Sequence, residues 1–305
     1  MPDVKGNDRK GADVDNFEGR TAVVTGGASG IGLALAERFA AAKMQVVLAD
    51  IEEAALDKAV KRLEERQARV IGVPTNTMVE SSVAELADRA IAEFGKVHVL
   101  CNNAGVASLG ARGRGIWEVP AADWEWVLGV NFYGVLYGIQ AFVPHMLAHG
   151  EPGHIVNTAS LAGLFPGGGT YGVSKHAVLS LTETLYNDLK ARGAAVSASV
   201  LCPGFVSTRI AHAERNRPAD LGIEQDDAGT ELAAAAEALI AQGKDPAEIA
   251  QAVLEAVSRD NLYILPHPAW DDFVRARVDH VLDRHGPATL DPAELMRRRA
   301  GGEAL

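Results

Sequence analysis

The hydrophobic positions of this chain form short apolar runs that alternate with longer segments of mixed polarity. Most of the short runs are apolar almost without interruption, which is typical of strands that helices cover on both faces. We predict seven strands, over Thr21–Thr25, Gln45–Ala49, Arg69–Val73, Val97–Asn102, His154–Thr158, Val196–Leu201 and Tyr263–Leu265.

The segments between these runs have the period of helices, and strand and helix therefore alternate along the chain. The predicted helices are Ile31–Ala42, Glu53–Gln67, Ser81–Phe94, Asp123–Ala148, Tyr171–Arg192 and Pro246–Val257. With right-handed crossovers, this alternation predicts an α/β protein built on a doubly wound, seven-stranded parallel sheet.

The alternation is interrupted near its end, which divides the chain into parts. We expect one catalytic domain over residues 17–266, in which residues 205–245 form a helical insertion that acts as a lid over the site. Residues 1–16 are polar and lack the apolar stretch of a signal peptide, so we expect a disordered tail. Residues 267–305 are expected to form a helical C-terminal extension.

Composition narrows the class of protein. Hydrophobic residues make up 48% of the 305 residues, enough for a sizeable core, and the net charge of −11 argues against nucleic acid as a partner. Two cysteines, Cys101 and Cys202, exclude a disulfide framework and fit a reducing compartment. No run of 18 apolar residues occurs, so we expect no membrane span and a cytoplasmic protein.

A glycine-rich turn follows the first predicted strand, in the stretch Thr25-Gly26-Gly27-Ala28-Ser29-Gly30-Ile31-Gly32. Glycine lets a pyrophosphate approach the backbone closely, and the helix that begins near Gly30 presents free N–H groups to an anion. Gly32 would let the helix pack close to the strand. The position of the turn favours a nucleotide site over a glycine turn without a ligand.

Asp50 ends the second predicted strand, 18 residues after Gly32. A carboxylate at this offset can accept hydrogen bonds from the adenosine ribose and would repel a 2′-phosphate. The residues that follow are Ile51, Glu52 and Glu53, with no adjacent basic side chain. The pattern favours NAD over NADP, although Asp50 could also be a simple turn residue.

A second group of polar residues could carry acid–base chemistry. Tyr171 and Lys175 are four residues apart and so share a helix face, where the ammonium would lower the pKa of the phenol. Ser160 follows an apolar strand and could bind the same substrate oxygen. Asn131 lies within a predicted helix, where Asn is unfavourable, so it could hold a water or a carbonyl beside the lysine.

Together these motifs resemble the short-chain dehydrogenase/reductase family, a Rossmann-type fold, from about Gly19 to Gly204 and more weakly to Pro266. The likeness is carried by the following motifs in this order: Thr25–Gly32, Asn102-Asn103-Ala104-Gly105, Asn131, Ser160, Tyr171 with Lys175, and Pro203–Thr208.

The resemblance implies a role for each motif. Tyr171 would be the catalytic acid/base, Lys175 would lower its pKa and bind the nicotinamide ribose, and Ser160 would polarise the carbonyl. Asn131 would complete a proton relay through water. The implied cofactor-binding residues are Gly26, Ser29, Gly30, Ile31, Gly32, Asp50, Asn76, Thr77, Asn103, Ala104, Gly105, Tyr171, Lys175, Pro203, Gly204, Val206 and Thr208.

Two features depart from the family pattern. Asn76-Thr77 stands where the family often has Asp-Val beside the adenine, and an Asn side chain can also serve there. Ser160 and Tyr171 are only 11 residues apart, which makes their loop unusually short. Thr158 is therefore an alternative to Ser160, which we prefer.

Substrate selectivity should come from three segments, Val106–Ala121, Leu161–Thr170 and Phe205–Lys244, of which the second is largely apolar. We therefore expect NAD-dependent oxidation of a hydrophobic, aromatic or cyclic secondary alcohol to a ketone. The alternatives are an NADPH-dependent ketoreductase of a biosynthetic pathway and a catalytically silent nucleotide-binding protein.

The subgroup and the aromatic residues leave further alternatives open. The C-terminal stretch Asn261–Pro266, the long insertion and the stretch Phe142–Met146 together resemble a subgroup that includes bacterial aryl-alcohol Cα-dehydrogenases acting on lignin-derived ethers. A steroid, terpenoid or polyketide-type alcohol would fit equally well. Trp117, Trp124 and Trp126 could pack in the core, form an interface or contact the substrate, with Trp117 the first candidate for that contact.

The expected partners are a small alcohol or ketone and further copies of the chain. Family likeness implies a homotetramer or homodimer, with Asp123–Ala148 and Tyr171–Arg192 as the main interface. We expect no metal site, because His145 and His149 have no acid or cysteine nearby to complete one.

Overall fold

The computed structural model describes residues 17–108, 114–223, 234, 236–287, 297–298 and 301–302. The predicted tail over residues 1–16 lies outside these residues, as do parts of the insertion and of the C-terminal extension.

The predicted parallel sheet is confirmed, with seven strands in the order β3-β2-β1-β4-β5-β6-β7. The strands are β1 (Thr21–Thr25), β2 (Gln45–Asp50), β3 (Val70–Pro74), β4 (Val99–Asn102), β5 (Gly153–Thr158), β6 (Val196–Leu201) and β7 (Tyr263–Ile264). Strand order reverses between β1 and β4, and this switch point opens a crevice at the carboxyl ends of the strands.

Helices cover both faces of the sheet, and most differ from the predicted bounds by one to three residues at an end. They are α1 (Gly30–Ala41), α2 (Glu53–Glu64), α3 (Glu80–Phe94), α4 (Ala121–Leu128), α5 (Gly134–His149), α6 (Gly169–Ala191), α7 (Pro246–Arg259) and α8 (Asp271–Leu282). Within the insertion, residues 236–241 are helical, and two 3₁₀ helices span Ile210–Asn216 and Ala219–Leu221.

The predicted continuous helix Asp123–Ala148 is wrong in its middle, where a π-helical turn over Gly129–Tyr133 separates α4 from α5. The whole run Ala121–His149 is long and apolar enough to cross a membrane by length and composition alone. In the fold, Phe142 and Met146 of α5 are fully buried against the sheet.

Two apolar layers hold the sheet in place. Leu35 and Phe39 of α1 are fully buried on one face, with α7 beside them, while α5 and α3 pack on the other face. Burial of large apolar side chains contributes about 1.5–3 kcal/mol each and makes the strand ends a rigid platform for the site.

A buried histidine in β5 makes stability depend on pH. Burial lowers the pKa of His154 from 6.5 to about 4, and its Nε2 lies 2.6 Å from the Ser199 hydroxyl oxygen. Between these two pKa values the unfolded chain binds a proton that the folded chain does not. We expect about 3 kcal/mol of stability to be lost as the pH falls from 6.5 to 4, measured by urea unfolding.

The control for this prediction uses two variants. His154→Gln keeps an N–H donor for Ser199 without a titrating ring, so its stability should fall less steeply with acid. His212 lies on the surface with a side chain 54% exposed, and His212→Gln should retain the wild-type dependence. Equal acid sensitivity in His154→Gln and wild type would contradict the assignment.

Candidate active site

A cleft of about 760 Å³ lies at the switch point, where the carboxyl ends of β1, β4 and β5 meet. Most of the sequence-predicted site residues line it. They are Gly26, Ser29, Gly30, Ile31, Asp50, Asn76, Thr77, Asn103, Ala104, Gly105, Ser160, Tyr171, Lys175, Pro203, Gly204, Val206 and Thr208. Gly32 and Asn131 are not among the lining residues, because both are buried behind it.

The glycine turn forms a cradle that side chains would fill. Gly30 has φ of +53°, and a Cβ there would lie 3.0 Å from Cγ2 of Thr208, across the cleft. A Cβ at Gly26 would lie 2.9 Å from Cα of Ala104. Gly32 faces inward, and a Cβ there would overlap the carbonyl oxygen of Gly26, so its role is close packing of α1.

The start of α1 is open to an anion. Its N-cap residue, Ser29, makes no side-chain hydrogen bond to the helix, so the first N–H groups keep no capping partner from that residue. The amino end of a helix carries partial positive charge, and a phosphate is the ligand it suits. The cradle and the uncapped helix together fit a dinucleotide pyrophosphate.

Thr25, at the end of β1, orders the opposite side of the cradle. Its hydroxyl oxygen accepts the backbone N–H groups of Asn103 and Ala104, at 2.9 and 3.1 Å. The Asn103 amide also donates to the Thr25 carbonyl oxygen, at 3.1 Å. Sequence reasoning included Thr25 only as the first residue of the motif, and its hydroxyl is what joins the two loops.

Asp50 both lines the cleft and holds a turn. Its two carboxylate oxygens accept the backbone N–H groups of Ala28 and Glu52, each at 3.0 Å. A carboxylate offers about four lone-pair sites, so acceptor capacity remains for ribose hydroxyls. Asp50 can therefore serve both as a turn residue and as a ligand for the adenosine ribose.

Two flanking segments complete the cofactor side of the cleft. Asn76 closes its own turn, with its side-chain oxygen accepting the N–H of Met78 at 3.0 Å, and Thr77 lies beside it. On the other side, Val206 pairs with Lys244 in an isolated parallel bridge that ties the chain after β6 to the far end of the insertion.

Ser160 and Tyr171 lie together in the cleft, close enough for the Ser160 hydroxyl to favour the ionised phenol. Ser160 is held by the chain around it, because its hydroxyl donates to the Pro203 carbonyl oxygen at 3.3 Å and accepts the N–H of Ala162 at 3.1 Å. Tyr171 does not open its helix as predicted, since α6 begins at Gly169 and Tyr171 is its third residue.

Thr158, the alternative to Ser160, makes its hydrogen bonds to Asn103 and Lys175. Its hydroxyl donates to the Asn103 side-chain oxygen at 3.3 Å, and its carbonyl oxygen accepts Nζ of Lys175 at 2.8 Å. Of the two hydroxyls, Ser160 is the one close enough to Tyr171 to affect the pKa of its phenol.

The pKa of Tyr171 is shifted in the opposite direction to the one expected from the Lys175 ammonium alone. Burial raises the pKa of the phenol, and the Ser160 hydrogen bond only partly opposes this. Burial likewise lowers the pKa of Lys175 to about 8. The physical reason is that Lys175 is buried and Tyr171 is half-buried in the cleft, while the ammonium nitrogen bonds the Thr158 carbonyl oxygen and lies 5.7 Å from the centre of the Tyr171 ring.

Asn131 lies within the π-helical turn, and its side chain is held by buried hydrogen bonds. Its side chain is fully buried, accepts the Val106 N–H at 2.8 Å, and donates to the Val106 carbonyl oxygen at 3.0 Å. Its amide also donates to the Ser174 hydroxyl at 2.9 Å. The side chain thus binds a backbone carbonyl, one of the two options raised above, and fixes the loop after β4 against α6.

Sequence reasoning missed several residues that line the cleft. Trp270 comes from the C-terminal extension, and Arg209 and Arg215 come from the insertion. Trp117, the first candidate for substrate contact, is 84% exposed and is not among the lining residues, whereas Trp126 is. The sequence around Trp270 and Arg215 does not show that they belong to the site, because their contacts there are with residues far away in the chain.

Two other chemistries find no support among the described residues. Both thiols are buried, and burial raises the pKa of Cys202 to about 12, which leaves it unreactive. Within the described ranges, no three His, Cys, Asp or Glu side chains come together as a group that could hold a metal ion.

Comparison with known proteins places this site in a family. The family model for short chain dehydrogenases matches residues 20–219. The chain is 33% identical to a CLA biosynthesis dehydrogenase/reductase of Lactiplantibacillus plantarum, over 89% of this chain and 96% of the relative. It is also 33% identical to a C alpha-dehydrogenase of Sphingobium sp. strain SYK-6, over 93% of this chain and 92% of that relative.

A solved structure extends the likeness to three dimensions. The short chain dehydrogenase/reductase from Burkholderia phymatum, crystallised in complex with NAD, superposes with a TM-score of 0.87 at 44% identity. The match covers 90% of this chain and 99% of that one. With its parallel sheet, glycine cradle and Ser160–Tyr171–Lys175 cluster, the chain is an oxidoreductase that belongs to the short-chain dehydrogenase family.

Proposed function

We propose that this protein oxidises a hydrophobic, aromatic or cyclic secondary alcohol to a ketone, with NAD as the hydride acceptor. The observation that carries the proposal is the meeting of Ser160, Tyr171 and Lys175 in the same cleft as the glycine cradle. NAD would lie from Asp50, past the open end of α1, to the segment Pro203–Thr208. The remaining apolar part of the cleft would receive the substrate.

Each of the polar residues in the cleft would have a separate role in proton transfer. The hydroxyls of Ser160 and Tyr171 would both hold the alcohol oxygen, and Tyr171 would take its proton as general base. Protonated Lys175, whose Nζ lies 5.7 Å from the centre of the Tyr171 ring, would favour the phenolate electrostatically and so act against the rise in pKa that burial causes. Asn131 would keep the loop after β4 in place beside the lysine. The bound NAD supplies the hydride acceptor.

Relatives support the cofactor and the substrate class. NAD is bound in the Burkholderia phymatum structure, and the Sphingobium relative is a C alpha-dehydrogenase. The apolar residues Leu161, Phe165 and Phe205 line the cleft near Ser160 and favour a substrate without charge at that end. The experiment that tests the proposal is a turnover screen of aromatic, steroid and aliphatic secondary alcohols with NAD; no oxidation of any of them would contradict it.

An NADPH-dependent ketoreductase is the second candidate, and one observation favours it. Arg209 and Arg215 line the cleft near Asp50, where a 2′-phosphate would lie in NADP. Against it, the Arg215 Nε donates to a Glu52 carboxylate oxygen at 3.0 Å, and Asn216 donates to the same oxygen. Arg215 also lowers the pKa of Glu52, so the guanidinium is already matched by a negative charge.

Replacing Asp50 by Asn tests the choice of cofactor. The variant should lose about 10- to 100-fold of its preference for NAD over NADP, because it loses charge-assisted bonds to the ribose and the repulsion of a 2′-phosphate. Calorimetric titration with both dinucleotides measures this. Glu53→Gln, at an exposed position outside the cleft lining, should behave as wild type. Tighter binding of NADP than of NAD by the wild type would favour the reductase.

We also propose that residues 205–245 act as a lid and that residues 267–305 form a helical extension beside it. Ile210, Ala213 and Ile240 of the insertion line the cleft, which supports a covering role. Limited proteolysis with and without NAD would test the lid: the insertion should be cut more slowly with NAD, and equal cutting would contradict a closing role.

We expect a homotetramer or homodimer that uses α5 and α6. Tyr133, just before α5, and Val173 of α6 are 46% and 48% exposed, which leaves apolar surface available on both elements. Ile139 and Val143 are partly buried against the core. Sedimentation velocity at micromolar concentration should detect the oligomer, and a pure monomer would contradict it.

A further inference from the structure

Four aromatic side chains from three distant segments form one cluster next to Ser160. Trp270 is at its centre, with ring centres 5.7 Å from Phe165, 6.1 Å from Phe205 and 5.8 Å from Phe273. Phe165, Phe205 and Trp270 line the cleft, whereas Phe273 is not among the lining residues. We call the three lining residues the aromatic wall.

The wall is close to the reacting end of the cleft. Leu161, which directly follows Ser160, packs in the same buried cluster as Phe165 and Trp270. The N–H of Leu161 donates to the Pro203 carbonyl oxygen at 3.0 Å, so the segments on either side of the wall are joined. A group attached to the carbinol carbon held at Ser160 and Tyr171 would therefore reach the wall.

A buried histidine holds the C-terminal part of the wall in place. His267 is 1% exposed, and its two ring nitrogens contact the segment that follows β6. Nδ1 accepts the Gly204 N–H at 3.1 Å, and Nε2 lies 3.1 Å from the Phe205 carbonyl oxygen. Trp270 follows three residues later, at the end of the 3₁₀ helix Pro268–Trp270.

We propose that the aromatic wall is a subsite for a planar aryl ring on the substrate and that Trp270 is its specificity-determining residue. The inference rests on the proposed function and narrows its substrate class from cyclic alcohols in general to aryl carbinols. Aromatic rings packed edge to face or offset attract one another more strongly than their buried area alone accounts for. A saturated ring of the same size gains the buried area alone.

The side chain of Trp270 permits a clean test. It is 4% exposed, and its Nε1 makes no hydrogen bond to any described residue, so substitution breaks no hydrogen bond. Trp270→Leu removes the aromatic ring, and Trp270→Phe keeps one. Trp117→Leu is the matched control, since Trp117 is 84% exposed and outside the cleft lining.

The experiment compares 1-phenylethanol with 1-cyclohexylethanol as substrates with NAD. For the wild type we expect kcat/KM to be about 3- to 10-fold higher for the aryl alcohol. In Trp270→Leu this ratio should fall to near one, mainly through KM of the aryl alcohol. Trp270→Phe and Trp117→Leu should retain it. A folded Trp270→Leu variant with the wild-type ratio would overturn the proposal.

A binding measurement separates this inference from the proposed function. Acetophenone and cyclohexyl methyl ketone are titrated into the protein saturated with NAD, and the ratio of their Kd values is compared across the same variants. If no alcohol is oxidised but the aryl preference depends on Trp270, the oxidation proposal fails and the subsite stands. Equal Kd values in the wild type would overturn the subsite. Should Trp270→Leu fail to fold, Phe205→Leu replaces it in both assays, with the same expected loss.

Discussion

Tyr171→Phe is expected to lower kcat for alcohol oxidation by about 10²- to 10⁴-fold, the range that one positioned acid–base group contributes. The substitution removes only the phenolic hydroxyl, and the ring can keep its place in the third position of α6. Steady-state rates with NAD measure the loss, and calorimetry should find NAD binding essentially unchanged.

Tyr133→Phe is the matched control for this variant. Tyr133 is 46% exposed and lies outside the cleft lining, so the same chemical change there should leave kcat at the wild-type value. A Tyr171→Phe protein that oxidised alcohols at the original rate would refute the assignment of the base.

Arg217→Met is expected to destabilise the fold by about 3–5 kcal/mol, because it leaves a buried carboxylate without its partner. Asp123 is completely buried, and its side chain is bonded by Arg217 at 2.7 Å, by Thr170 at 3.1 Å and by Ser108. The Arg217 side chain is only 5% exposed, and its guanidinium lies 4.0 Å from the centre of the Trp126 ring. Urea unfolding measures the loss.

A nearby arginine provides the control for Arg217→Met. Arg215 is two residues away and pairs with Glu52, whose side chain is 25% exposed, so Arg215→Met should cost no more than about 1 kcal/mol. Adding Asp123→Asn to Arg217→Met should recover part of the loss, because the uncompensated charge is removed. If the Arg217→Met and Arg215→Met proteins unfold at the same urea concentration, the buried Arg217–Asp123 ion pair does not make the expected contribution to stability.

The elements that depend on local pattern could be predicted from the sequence. Continuous apolar runs such as Ala22-Val23-Val24 have one stable environment, a sheet covered on both faces, and β1 matches its predicted bounds. The glycine turn was predictable for the same reason, since Gly30 has the positive φ that the tight turn before α1 requires. These features depend on residues within one turn or strand.

The features that sequence reasoning missed depend on contacts between distant parts of the chain. The π-helical turn is tied to Asn131, whose partners Val106 and Ser174 are 25 and 43 residues away. Arg215 meets Glu52 across 163 residues, and Trp270 meets Phe165 across the whole of β6 and the insertion. The four-residue spacing of Tyr171 and Lys175 also could not show that burial raises the pKa of the phenol, because burial depends on the whole fold.

A crystal structure with NAD and the ketone product of the best alcohol tests most directly whether the hydroxyls of Ser160 and Tyr171 together hold the substrate oxygen. We expect the ketone oxygen to lie about 3 Å from both hydroxyl oxygens, with the ketone carbon facing the nicotinamide. A Tyr171 hydroxyl turned away from the ketone, with the ketone oxygen bonded elsewhere, would contradict it.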